Sequence, residues 1–397
     1  MFSKRRWVII TLGLLMSLVV ISPLYSFSAD TPFIFGLLLV GPHDDHGSNQ
    51  AHYRGGQYVM ETIPDTKMIY IDRVNPTDRP GVTITQLVDD MVQKGAKLII
   101  ATSVDMQDGI REAALTNPDI YFLQISGDEI MTGKGLKNLG NVAGRMEYGK
   151  MMAGFAAALT TKTGKIGYIG PFSNAETRRL ASSCYLGARY AWQNILKKDL
   201  EDLKFQVTWI GYWFTIPDVT VNPAQVFKNF FNTDYDVLVS GVAPSEVAAV
   251  AKQTIQEGKP LWVIPYDDAE ACKGAFKVCL GVPFFNWGPG YLKFVRAVMS
   301  GEWKAEWLWL GPDWKDINNP ETSAVGFVAG PALSDFAVAE LNKFIRNLAT
   351  GRLNLFKGPL NYQDGTPFLS SGQTASDKQI WHLKQLLQGM DGESSAK

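Results

Sequence analysis

The sequence predicts an α/β protein of two similar lobes, each a parallel sheet covered by helices. Three observations carry this. Short apolar runs alternate with helix-spaced segments, which is the signature of βαβ units. The alternation restarts after about residue 144. The 397-residue length suits two or three units of roughly 150 residues each.

In the first series, Phe33 to Val40 (FIFGLLLV) is a nearly continuous apolar run, as expected of a strand buried on both faces. A helical segment follows to about Thr62, then a strand at Lys67 to Val74 (KMIYIDRV). Thr85 to Lys94 carries helix-spaced apolar residues, and Gly95 stops it. Lys97 to Ser103 and Ile120 to Ser126 continue as strands. The second series opens with a small-residue helix at Glu147 to Thr161, a strand at Lys165 to Pro171 and a long helix at Ala175 to Asn194. A strand at Lys204 to Trp213, a helix at Pro223 to Phe231 and a strand at Tyr235 to Gly241 follow. Pro244 to Gly258 reads as an amphipathic helix and Leu261 to Tyr266 (LWVIPY) as a strand. Strand-like pieces near Lys277 to Phe284 and Ser323 to Val328 return to one lobe or the other, and a last helix runs from about Asp335 to Thr350. The polar tail after Met390 is expected to fray.

Composition narrows the class. Hydrophobic residues make up 46% of the chain and charged residues 19%, enough apolar surface for a globular core. Net charge is −1, and no electrostatic footprint for nucleic acid follows from that balance. At the N-terminus, Lys4, Arg5 and Arg6 precede an apolar stretch from Trp7 to Ile21, too short for a comfortable membrane span. Ser26-Phe27-Ser28-Ala29 then reads as a cleavage region, which makes residues 1–29 a secretory signal; an uncleaved anchor is the alternative. No Cys lies near this point to accept a lipid. Of the three Cys, Cys272 and Cys279 flank a short loop and are candidates for a disulfide, whereas Cys184 lies in a helical pattern as a buried free thiol. Three Cys without supporting His spacing do not make a zinc signature, and no cofactor is implied.

In open parallel sheets ligands bind beyond the carboxyl ends of the strands, so the turns after each strand hold the candidates. After the first strand comes GPHDDHGSNQAHY, with three of the chain's four His beside Asp44 and Asp45. A metal site and an inert polar loop are both open readings. The preferred one is a ligand loop built from Asp45, Ser48, Asn49 and His52, in which Ser48 or Asn49 caps a helix whose free N–H groups hold a polar ligand edge. Ser103 follows the third strand, Trp213 and Phe214 end another, Asp267 follows Tyr266, and Phe285 and Trp287 close the set. Aromatic triplets such as Tyr212-Trp213-Phe214 also arise from core packing. Together with a few Asn, Asp and Ser acceptors, these aromatics suit a flat, nitrogen-rich ring.

The chain resembles the basic membrane protein (BMP) family of ABC-transporter substrate-binding proteins, which includes purine nucleoside and nucleobase binders. The resemblance runs from about Phe35 to Gly392 and rests on GPHDDHGSNQAHYRGG, TKTGKIGYIG, YWF, PYDD, FNWGP and LNLFKGPL in order. It implies a type I periplasmic-binding fold with three crossings between lobes, near Ala143, Tyr266 and Glu321. Residues 30–143 then form lobe 1, completed by about 267–321; residues 144–266 form lobe 2, completed by about 322–390; 391–397 are a flexible tail. An ABC permease and ATPase are the implied partners of a monomeric binding protein outside the cytoplasmic membrane.

Residue by residue, the resemblance makes Trp213 the stacking candidate, with Phe214 beside it, and Asp267 the edge-reader. The family's stacking aromatic after Gly47 is Ser48 here, Val242 and Ala243 replace a frequent acid, and no clear Lys occupies the ribose position. These departures favour a bare purine base or another flat heterocycle over a nucleoside. Two competing classes are a ligand-sensing module for a membrane partner and an exported nucleoside hydrolase. The hydrolase finds no GxSxG, no paired Cys and His, and too few carboxylates around Asp44 and Asp45.

Overall fold

The computed structural model describes residues 31–213, 215–216, 218–242 and 261–394. The expected signal segment, the helix at Pro244 to Gly258, Phe214 and Ala243 lie outside the described residues.

The first sheet is built from β1 (Phe33–Leu38), β2 (Thr66–Ile71), β3 (Ala96–Ala101), β4 (Tyr121–Ile125) and β5 (Leu139–Gly144). Helices α1 (Ser48–Thr62), α2 (Ile84–Gln93) and α3 (Gln107–Thr116) connect the earlier strands. Every pairing in this sheet is parallel, in the order β11-β5-β4-β3-β1-β2, where β11 is Trp307–Leu310. The apolar run of β1 is buried on both faces, between one core containing Phe35, Leu37 and Leu98 and another containing Leu38, Val88 and Ile99.

The second sheet is also wholly parallel. It contains β6 (Lys165–Gly170), β7 (Lys204–Trp209), β8 (Val237–Ser240) and β9 (Trp262–Ile264). Its order is β13-β7-β6-β8-β9, with β13 at Met390–Asp391. Helices α4 (Met146–Thr160), α5 (Ala175–Tyr190) and α6 (Pro223–Asn232) belong to this half. α4 and α5 touch backbone to backbone. A Cβ on Gly154 would lie 1.8 Å from the Cys184 carbonyl oxygen, and one on Gly187 would lie 2.0 Å from that of Met151. Only glycine permits this approach.

Three passages link the halves: β5 through Arg145 into α4; the segment after β9 into β10 (Gly281–Phe285) and α7 (Gly288–Met299); and β11 into β12 (Val325–Ala329). β10 and β12 pair antiparallel, and Asp267 bridges to Phe284 beside them. Cys272 and Cys279 form a disulfide in the loop before β10, and Cys184 is a buried free thiol.

Several expectations need correction. The strand anticipated near Lys277 to Phe284 is present but starts later: Lys277 and Val278 end a 3-10 helix (Ala271–Val278), and the strand begins at Gly281, after the disulfide loop. The strand drawn to Trp213 ends at Trp209, because Gly211 with φ 108 turns the chain. β5 and β11 escaped notice. LGNVAG is fully buried but too rich in small and polar residues to read as apolar, and WLWL is buried partly by distant Trp381. Over the described residues 391–394 the C-terminal stretch is tied down, not frayed. Trp209 Nε1 donates to the Glu393 carbonyl (2.7 Å) and Gln363 Nε2 to those of Met390 and Gly392. These are backbone anchors, invisible to hydropathy. After α8 (Asp335–Ala349), the short helix α9 (Asp377–Trp381) sets Trp381 against Trp307 and Trp309 of the first sheet, edge to face at 5.1 Å from each.

Candidate functional site

The carboxyl ends of strands from both sheets converge on one cavity of about 120 Å³. From the first half it is lined by Val40, Thr102, Ser103, Ile125 and Ser126; from the second by Tyr168, Pro171, Glu176, Gly241 and Val242. Of the ten residues singled out from sequence, nine line this cavity: Asp45, Ser48, Asn49, His52, Ser103, Trp213, Asp267, Phe285 and Trp287. The tenth, Phe214, lies outside the described residues.

Their chemistry is not uniform. The Asp45 carboxylate accepts hydrogen bonds from the backbone N–H groups of Gly47, Asn49 and Gln50 and from Asn49 Nδ2. Asn49 Oδ1 accepts the Gly41 N–H at 3.0 Å. Asp45, not Ser48 or Asn49, therefore caps α1, and it occupies N–H groups that the sequence reading offered to a ligand. Asp45 and Asn49 shape the loop, while Ser48 reaches the cavity as a small polar side chain.

The three clustered His separate. His43 Nδ1 meets Asp72 Oδ2 at 2.7 Å, and this hydrogen bond raises its pKa. His46 is exposed with φ 56. His52 is 2% exposed, its Nδ1 lies 2.6 Å from Tyr291 Oη, and burial pushes its pKa down to about 3. It is a neutral aromatic ring in the wall, not a charged contact. Among the described residues, no group of three or more His, Cys, Asp or Glu is placed to hold a metal ion.

His52 belongs to a stack. Its ring lies 4.5 Å from Trp287 at 19°, and Trp287 lies 4.7 Å from Phe285 at 24°. The Trp287 Nε1 donor is buried and unpartnered among the described residues. On the other side of the cavity Trp213 packs edge to face on Phe172 (5.0 Å), and its Nε1 donates to Asp105 Oδ2 across the cleft (2.7 Å).

Asp267 has φ 75, a left-handed conformation that non-glycine residues adopt rarely and at some strain. Burial raises its pKa, and the charge of Lys150 opposes that rise. Lys150 is wholly buried; its Nζ donates to the Ser240 carbonyl (2.7 Å) and sits 3.3 Å from the Tyr266 ring centroid. Burial lowers its pKa against the pull of Asp267. The neighbouring Asp268 turns away from the site and takes Arg54 Nη1 at 2.7 Å. PYDD thus splits into one acid for the cavity and one for the hinge.

Sequence reasoning missed Lys150, Tyr168 and Glu176. Lys150 was signalled as the one cationic residue on α4, a helix otherwise mostly of small and apolar residues. Glu176 obeyed the strand-end rule, which was not applied to the turn after Pro171.

The family profile described as Bmp, ABC transporter substrate-binding protein PnrA-like, matches residues 34–325. The chain belongs to this family. Its members are extracytoplasmic solute-binding proteins that take small-molecule ligands and serve ABC transporters. The chain is similar to a purine-binding protein of Brucella abortus, at 23% identity over 90% of this chain and 92% of that one. It is also similar to a putative ABC transporter glucose-binding protein of Haloferax volcanii, at 23% identity over 67% of this chain and 61% of that one. A solved ABC transporter solute-binding protein of Aeropyrum pernix superposes with a TM-score of 0.65 at 12% identity, covering 83% of this chain and 93% of that one. The fold is that of type I periplasmic binding proteins. Among the described residues, no helix is long and apolar enough to cross a membrane.

Proposed function

We propose that the chain is the monomeric, exported binding component of an ABC importer, and that its lobes close on a small flat heterocycle, a purine base or a close relative. The aromatic lining carries this reading. Trp213 on one side and the Phe285–Trp287–His52 stack on the other supply ring faces, while Asp267, Glu176 and Ser103 supply edge contacts. Stacking on an aromatic contributes about 1–3 kcal/mol per base in nucleic-acid systems. The purine-binding relative points the same way.

A sugar is the competing ligand, favoured by the relative named as glucose-binding. A thermal-shift screen of the chain from Asp30 onward, against bases, nucleosides and sugars, separates the two. A ligand at 100 times its Kd stabilises by about 2.7 kcal/mol, which raises Tm by a few degrees. The expected result is a shift with adenine or a related base that Trp213→Ala abolishes. A shift with glucose alone overturns the reading.

A further inference from the structure

We infer that Glu176 ties the choice of ligand to lobe closure, accepting an N–H from the bound ring while it holds Ser126 of the opposite lobe. It thereby selects rings that carry an amine or ring N–H on that edge, and rejects anionic rings. This rests on the heterocycle reading above.

Glu176 stands in the first turn of α5, just past the end of β6. It is not needed to cap that helix. Asn174 and Thr177 do so reciprocally, Thr177 N–H to Asn174 Oδ1 at 2.8 Å and Asn174 N–H to Thr177 Oγ1 at 2.9 Å. Its side chain is 18% exposed, in the cavity wall. One oxygen is committed: Oε1 accepts from Ser126 Oγ at 3.0 Å and lies 3.5 Å from Arg179 Nη2. Oε2 takes no hydrogen bond from any described residue.

The surroundings hold that carboxylate in place. Arg179 is buried, bonded to Glu147 Oε1 at 2.6 Å, and lies 4.2 Å from the Trp381 ring centroid, so it cannot follow a moving partner. Ser126, at φ 58, is fixed from the other lobe by its N–H to the Val142 carbonyl.

Charge narrows the ligand further. Among the described lining residues the acids are Asp45, Glu176 and Asp267, and none is Lys or Arg. Asp45 is filled by four N–H donors. Asp267 and Glu176 both face the cavity, and of these two acids the one whose other oxygen is held by the opposite lobe is Glu176. An N–H edge satisfies it, whereas a ring presenting only acceptors there leaves it unpaired.

The test is calorimetric titration of the chain from Asp30 onward with adenine, 6-(dimethylamino)purine and urate. Wild type, Glu176→Gln, Glu176→Asp and Ser126→Ala are compared. Hydrogen bonds to charged groups predict that Glu176→Gln weakens adenine about 10- to 100-fold and narrows its preference over the dimethylated ring and urate. Ser126→Ala weakens all ligands together and leaves the ratios alone. Should Glu176→Gln perturb folding, Glu176→Asp retains the charge and is expected to lose affinity while still rejecting urate. Wild-type affinities and ratios in a folded Glu176→Gln overturn the inference and leave the heterocycle reading standing. If wild type binds none of these rings, both fall.

Discussion

The chain holds two aromatic clusters of similar make-up and opposite use. In the cleft, Phe285, Trp287 and His52 lie nearly parallel, with Tyr291 behind them. At the third passage, Trp381 meets Trp307 and Trp309 edge to face, and guanidinium groups lie against the cluster, Arg145 at 4.3 Å from Trp309 and Arg179 at 4.2 Å from Trp381. The difference teaches how to tell a binding wall from a bolt. In the bolt, the chain's own cations already occupy ring faces. In the wall, the histidine is held neutral, and the Phe285 end borders the cavity. Counting aromatics does not distinguish the two; asking what covers their faces does.

The comparison breaks most visibly at the bolt. Trp381 is 4% exposed and joins the C-terminal segment to the first sheet. Trp381→Ala should cost about 3–5 kcal/mol, read as a fall in Tm. The next effect separates the clusters by pH. His52 stays neutral when folded, down to about 3, but protonates near 6.5 when unfolded. The unfolded chain thus binds the extra proton, and this part of the stability grows as pH rises from about 3 to 6.5. At pH 4 the loss is about 3 kcal/mol. In denaturant titrations His52→Gln should flatten that slope, whereas Trp381→Ala should leave it unchanged.

At the wall, Phe285→Ala should weaken a bound base by about 1–3 kcal/mol, measured by calorimetry. Its Tm should fall less than that of Trp381→Ala. The smallest change is expected for Asp377→Asn. It loses a half-exposed ion pair with Arg145 but leaves the guanidinium on Trp309, so stability should drop by less than about 1 kcal/mol and binding should not change.

The strand ends were legible because parallel sheets oblige ligand groups to collect there, and the aromatic residues at Trp213, Phe285 and Trp287 stood at such ends. What escaped had its meaning set by distant residues. Lys150 is defined by Ser240 and Tyr266, and Arg179 by Glu147 and Trp381. Asp45 was visible as a polar loop residue, yet its capping role depends on a turn that only folding reveals. β5 was hidden because an Asn and two Gly are buried there without being apolar.

Gly154 and Gly187 impose a constraint of another kind. Each faces a carbonyl of the opposite helix so closely that even one methyl group would part the pair. The two helices therefore meet along a seam written in a single letter. The second lobe is free to diverge in its loops, rims and ligand contacts, but along this seam its sequence has no synonym.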